Sequence, residues 1–184
     1  GRTGLAAGAV ASNGELVLSL DRLRDVGPVD GLNRSVTVGA GVPNAVLQDA
    51  CAPHGLWWPV DLASKGSATV GGNLATNAGG LRVLRYGHAR QWVLGVQVVT
   101  AAGEILQLGG ALHKDNSGYA LQQLLIGSEG TLGILTAATL ALAPLPGPSE
   151  VVLAGCRDLR AAVELFGALR AQPVTANAFE AFTD

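Results

Sequence analysis

Three clusters of small residues stand out for the chemistry they can do: GRTGLAAG at 1–8, GSATVGGNLATNAGG at 66–80 and GSEGTLG at 127–133. Each mixes glycine with Ser, Thr or Asn. Glycine puts no Cβ between a backbone amide and a ligand. It also tolerates the positive φ that turns successive N–H groups to one side, so such clusters make nests for anions, phosphate foremost. Thr69 reads as the N-cap of a helix starting near Val70. The first amides and the dipole of that helix would favour a diphosphate or an electron-rich ring edge by about 0.3 to 2 kcal/mol. Asn73, Thr76 and Asn77 fall at i, i+3 and i+4, on one face of that turn. Amide and hydroxyl groups carry both donor and acceptor, which suits the alternating N–H and C=O edge of a flavin or pyrimidine. Any one cluster alone reads as a turn between packed strands. The three together read as the wall of a cofactor slot.

Other sites fail on spacing. GAGVPN at 39–44 lacks the third glycine and the distant acidic partner of a dinucleotide fingerprint. GSEG is not the G-x-S-x-G of a nucleophile elbow, and no Ser, His and Asp set accompanies it. His54, His88 and His113 have no metal-ligand spacing: His54 reads as a helix end, His88 as a polar surface residue and His113 as part of a loop. Cys51 and Cys156 read as ordinary buried thiols. A net charge of −2 leaves no basic face for a phosphate backbone, so nucleic acid is not an expected partner. No apolar run has the roughly 18 to 20 residues of a membrane span. A cytoplasmic location is therefore expected.

The elements that must position the clusters alternate between strand and helix signals. Leu16–Leu20, Ser35–Val38, Val93–Thr100 and Glu104–Leu108 are β-rich runs, the last two reading as a hairpin around AAG. Pro43 can open a helix that Gly55 stops, with Val46, Leu47 and Ala50 on its apolar stripe. Gly118–Ile126 is a short helical candidate with Leu121, Leu124 and Leu125 on one face, and Leu132–Leu142 a further strand. The proline cluster at 144–148 marks a boundary. Beyond it Val151–Ala154 reads as a strand, Asp158–Ala171 as an amphipathic helix, and TANAFEAF at 175–182 as another strand. The class is α+β.

GGNLATNAGGLRVLRYG, followed by KDNSGYALQQLLIGSEGTLGI, resembles the FAD-binding domain (PCMH-type) of vanillyl-alcohol-oxidase-like flavoproteins, in the branch of D-2-hydroxyglutarate dehydrogenase, D-lactate dehydrogenase and glycolate oxidase. DLASKGS and ATNAGGLR look closer to the D-2-hydroxyglutarate dehydrogenases than to the glycolate oxidase subunits. The resemblance implies a mixed sheet flanked by helices over residues 1–145, and the start of a ferredoxin-like substrate domain over 146–184.

It also implies roles. Arg2, Thr3, Gly4, Leu5 and Gly8 match the pyrophosphate loop G-G-x-T-G-x-x-G-G, clipped at its start and with Ala7 in place of one glycine. Relatives with covalent FAD carry His at the position of Thr3, so FAD is expected to be non-covalent. Pro59, Asp61, Gly66, Ser67, Thr69, Gly72, Asn73, Thr76, Asn77 and Gly79 match the segment along flavin and pyrophosphate. Glu129, Gly130, Gly133 and Ile134 match the segment near the adenosine portion. Lys65, Arg82 and Arg85 are cations that would serve flavin, phosphate or carboxylate if they are not surface residues, and Trp57 and Trp58 are expected to pack beneath the cofactor loop. The H-x-G-D-G-N-like motif that carries a divalent metal and the catalytic base in relatives is absent. The chain is thus expected to be a fragment with no catalytic residue or metal site of its own. The implied intact enzyme would oxidise a D-2-hydroxy acid, with an unidentified electron acceptor, and a homodimer is compatible with the family; the alternatives are a truncated non-catalytic fragment with weak or no FAD binding and a same-fold flavoenzyme with different chemistry.

Overall fold

In the computed structural model, which describes residues 1–183, the first strand is β1 (Ser35–Gly39). Its alternation buries Val36 and Val38 and exposes Thr37, the period of two that a half-buried strand requires. Helix α1 (Asn44–Cys51) follows Pro43 and runs into a short 3-10 turn (Ala52–His54) that Gly55 ends at φ 68°. Strand β2 (Leu56–Trp57) leads to the second glycine cluster, which contains α2 (Val70–Ala75). The one-turn helix α3 (Val83–Tyr86) precedes β3 (Val93–Val99) and β4 (Ile105–Gly109). After α4 (Gln122–Leu125) come β5 (Ile134–Ala141) and β6 (Ala143–Pro144), and α5 (Leu159–Arg170) lies beyond the prolines.

The strands form a four-stranded sheet in the order β1-β5-β3-β4 and a two-stranded β2-β6 pair. Every described pairing is antiparallel. The α+β class holds; the mixed sheet expected within it is antiparallel instead. β3 and β4 form the expected hairpin, pairing Val99 with Ile105. The core fills the space between one sheet face (Val36, Val38, Val96, Val98, Leu140) and the helical side (Leu47, Trp58, Val70, Leu74). α2 therefore rests directly on the sheet. Asp158 Oδ1 accepts a 2.7 Å hydrogen bond from the Ala161 amide and starts α5 where the sequence placed it.

Several expectations give way, among them the burial of both thiols: Cys51 is buried, but Cys156 lies exposed in the segment beyond the prolines. Leu16–Leu20, Val151–Ala154 and residues 175–182 are not strands, and Leu16 and Val151 are almost fully exposed. Their composition suits a pleated surface, but a strand exists only where a neighbour completes its ladder, and no described residue pairs with them. α1 buries Asn44, Leu47 and Cys51 rather than Val46, Leu47 and Ala50. The displacement follows from Asn44, whose amide is satisfied inside the protein and can therefore sit at a core position. In α4 only Leu125 of the expected leucine face is buried, and in α5 only Ala162. Phe166 meets Phe179 at 4.8 Å between ring centroids.

Candidate cofactor-binding site

Thr69 caps α2 as expected, its Oγ1 accepting from the Gly72 amide at 3.4 Å. The amides that would greet an anion there are nevertheless occupied. Val70 N–H donates to the Val42 carbonyl, Gly71 N–H to Ala40 at 2.8 Å and Asn73 N–H to Thr69 at 2.9 Å. Glycine at 71 serves packing: a Cβ there would lie 2.6 Å from the Ala40 Cβ. The α2 N-terminus is thus consumed by the protein, against the expectation that its amides face a ligand. Asn73, Thr76 and Asn77 do not present one polar face either. Asn73 is buried and donates to Asn44 Oδ1 at 2.6 Å, and Thr76 Oγ1 donates to the Gly72 carbonyl. Asn77 lies past the helix at φ 50°, its Oδ1 accepting from the Arg90 amide at 3.0 Å.

The three glycine clusters do converge, and α2 is where they meet. A Cβ on Gly1 would fall 2.5 Å from the Ser67 carbonyl and 3.0 Å from the Thr69 nitrogen, so the first cluster lies against the second. Gly127 and Glu129 donate their amides to the Leu74 and Ala75 carbonyls, both at 2.9 Å, which docks the third cluster on the C-terminal end of α2. A Cβ on Gly8 would lie 3.0 Å from Glu129 Oε2, closing the circuit between third and first.

The clusters differ in where their amides donate. Among the described residues, the amides of residues 2–8 donate to no protein acceptor. Arg2 and Ala7 hold positive φ of 56° and 58°, the backbone turn that aims neighbouring N–H groups together. Gly4 has nothing within 4 Å of where its Cβ would stand. Leu5 is fully exposed, and the Arg2 guanidinium makes a 3.3 Å exposed pair with Asp21. Unpaired amides can donate to a diphosphate, so residues 2–8 are compatible with the phosphates of FAD.

Asp61 anchors the second cluster at both ends. Its carboxylate sits 3.2 Å from Arg82 Nε and 3.5 Å from Lys65 Nζ, and its carbonyl accepts from the Leu81 amide at 2.7 Å. Gly80, at φ 96°, passes so close that a Cβ would meet the Asp61 carbonyl at 2.5 Å. Asp61, Lys65 and Arg82 therefore hold the loop. Arg82 also lies 5.1 Å from the centroid of the buried Trp57 ring, while Trp58 is fully enclosed in the core. Arg85 stacks on Tyr86 and donates to Asn177 Oδ1. Pro59 is buried; Gly66, Ser67 and Gly72 are exposed along the second cluster. At Gly79 a Cβ would press on Val83. Gly130 stands open at φ 82°, whereas Gly133 is required by packing, since a Cβ would meet Val98 Cγ2 at 2.7 Å. Ile134 is taken into β5 opposite Val99. His88 donates its amide to Gln91, and His113 Nε2 meets the Asn33 carbonyl at 2.6 Å.

Arg90 and Asn44 carry no sequence signal of their place here. Asn44 holds Asn73 from beneath. Arg90 joins the second cluster to the third, through Asn77 on one side and the carbonyls of Gln123 and Ile126 on the other. A lone Arg amid turns carries no periodic signal, and a buried Asn at the start of a helix reads as a cap. Among the described residues no group of three His, Cys, Asp or Glu could hold a metal, and no helix is long and apolar enough to cross a membrane.

A family model described as FAD binding domain matches residues 1–109. The chain belongs to this FAD-binding domain family. It is 52% identical over all 184 residues to a D-2-hydroxyglutarate dehydrogenase of Xanthomonas citri pv. viticola, of which it covers 39%. With a D-lactate dehydrogenase of Archaeoglobus fulgidus it shares 46% identity over 78% of this chain and 32% of the relative. A solved structure of alkyldihydroxyacetonephosphate synthase matches with a TM-score of 0.60 and 27% identity, over 70% of this chain and 23% of that one. The FAD-binding domain is thus established by sequence family. The chain spans well under half the length of these relatives.

Proposed function

We propose that this chain is the cofactor-holding part of an FAD-dependent oxidoreductase acting on the CH–OH group of a D-2-hydroxy acid, of the D-2-hydroxyglutarate or D-lactate type. The observation that carries the reading is the convergence of the three glycine clusters on α2, with the amides of residues 2–8 left without protein partners. FAD supplies the two-electron acceptor for the hydrogen on the substrate α-carbon. The chain's own residues hold and orient it: the 2–8 amides donate hydrogen bonds to the diphosphate, while Asp61, Lys65 and Arg82 keep the 66–82 loop in place. Gly66, Ser67, Gly72 and Thr76 present the exposed wall of that loop.

FAD is held non-covalently in this reading, since the residue in the phosphate loop is Thr3, which offers no imidazole for attachment. Residues 1–145 form the FAD domain and 146–184 begin the substrate domain, a division supported by the exposed run from Gly147 to Arg160. The base that takes the hydroxyl proton and any divalent metal belong to the part of the relatives that this chain does not span. Reduced flavin passes its electrons to an acceptor other than a nicotinamide, and the enzyme works in the cytoplasm. A second reading, the same fold serving a different reaction, is favoured by the similarity to alkyldihydroxyacetonephosphate synthase.

The test is made on the protein at the full length of its relatives, loaded with FAD and kept anaerobic. Bleaching of the flavin band by D-2-hydroxyglutarate or D-lactate, and not by their L enantiomers, is the expected result. A flavin band that none of these acids bleaches would sink the substrate assignment and favour the second reading.

A further inference from the structure

Arg90 bridges two of the clusters, and no carboxylate pairs with it among the described residues. Its guanidinium Nη1 donates to the Gln123 carbonyl at 2.7 Å and Nη2 to the Ile126 carbonyl at 2.5 Å. Its backbone amide donates to Asn77 Oδ1. A Cβ on Gly127 would lie 3.3 Å from Nη2 and 3.4 Å from the Asn77 Cβ, so guanidinium, amide side chain and glycine form one tight seam. Immediately past that seam, Gly127 and Glu129 donate to the last carbonyls of α2, and Glu129 reaches Gly8 in the phosphate loop. A planar fork with fixed donors suits two diverging carbonyls, whereas an ammonium is a single point of charge.

We infer that Arg90 is a positioning residue for the cofactor slot: by clamping the Gln123 and Ile126 carbonyls to the Asn77 turn, it sets where residues 127–130 stand against α2 and the phosphate loop. The inference rests on the FAD reading for its consequence in binding, but its structural half stands without cofactor. Arg90 touches neither phosphate loop nor any reacting atom, and it acts through Gly127 and Glu129.

The experiment compares the unsubstituted protein with Arg90→Lys and Arg90→Ala in two measurements. The first is amide hydrogen exchange without cofactor. Exchange at Gly127 and Glu129 is expected to quicken about tenfold in both variants, while the amides of β3 and β5 keep their protection. The second is binding of FAD and of FMN, read by flavin fluorescence. FAD is expected to weaken about tenfold and FMN to change little, because the displaced segment adjoins the far end of the phosphate loop. A variant that melts early and exchanges fast throughout would make Arg90 a general structural residue and overturn the inference. Arg90→Lys, which keeps the stem and the charge, guards against Arg90→Ala simply failing to fold. Full rescue by lysine, or unchanged exchange at Gly127 and Glu129 in both variants, would equally overturn it. If the unsubstituted protein binds no FAD, the functional reading fails, and the exchange data still decide the role of Arg90.

Discussion

The first and second glycine clusters are alike in composition and opposite in use. In the second, glycine lets chains approach one another: Gly71 fits under Ala40, Gly80 passes over Asp61, and the first amides of α2 are given to Val42, Ala40 and Thr69. In the first, positive φ at Arg2 and Ala7 leaves a run of amides with no protein acceptor. One cluster is a packed joint and the other, as proposed, a cradle. Glycine content does not distinguish them; where each N–H goes does.

The widest gap between the two should appear when the same small side chain is added to each. Gly71→Ala is expected to cost about 2 kcal/mol, because the new methyl meets the Ala40 Cβ and carbonyl in a filled space. Gly4→Ala should stay within about 0.5 kcal/mol, as nothing stands near its Cβ. Denaturant midpoints measure both. Equal losses would mean that the first cluster is packed as tightly as the second and is no cradle.

A smaller effect belongs to the cap. Thr69→Val removes the hydroxyl that accepts from Gly72, and about 0.5 to 1 kcal/mol should go with it, recovered by Thr69→Ser. The 3.4 Å length of that bond places the loss toward the lower figure.

The smallest effect distinguishes core from surface through the two thiols. Burial pushes the Cys51 thiol up from its ordinary value near 9 to about 11, whereas Cys156 is exposed. Because the folded state holds that proton more tightly than the unfolded one, the contribution of Cys51 is intact below pH 9 and is lost as the pH rises from 9 toward 11. Iodoacetamide at pH 8 should therefore alkylate Cys156 alone, with Cys51 reacting only after denaturation. Fast alkylation of Cys51 in the folded protein would show that α1 does not seal the core as described.

Much of this arrangement was legible in the sequence. Pro43 and Gly55 bracket α1, Asp158 starts α5, Thr69 starts α2, and the alternation in Ser35–Val38 and the run Val93–Val99 become strands, because each of these signals is local. What failed depends on partners distant in sequence. Leu16–Leu20 has strand composition without a neighbour to pair with. Asn73 and Asn77 have the spacing of a polar face, yet Asn44 and Arg90 claim their side chains from 29 and 13 residues away. The same holds for the α2 amides, whose acceptors at Ala40 and Val42 come from the segment following β1. The motifs single out the three clusters, and only the fold shows which of their hydrogen bonds remain available.

The most direct test places a carboxylate in the cradle without disturbing the joint. The protein and its Gly4→Asp variant are incubated with FAD and passed through gel filtration, and the visible spectrum and thermal midpoint of each are recorded. The space around Gly4 accommodates the side chain, so the midpoint should not move, while charge repulsion against the diphosphate should remove the flavin bands that the unsubstituted protein retains. A Gly4→Asp protein that keeps its flavin, or an unsubstituted protein that elutes colourless, would contradict the assignment of residues 2–8 as the phosphate cradle.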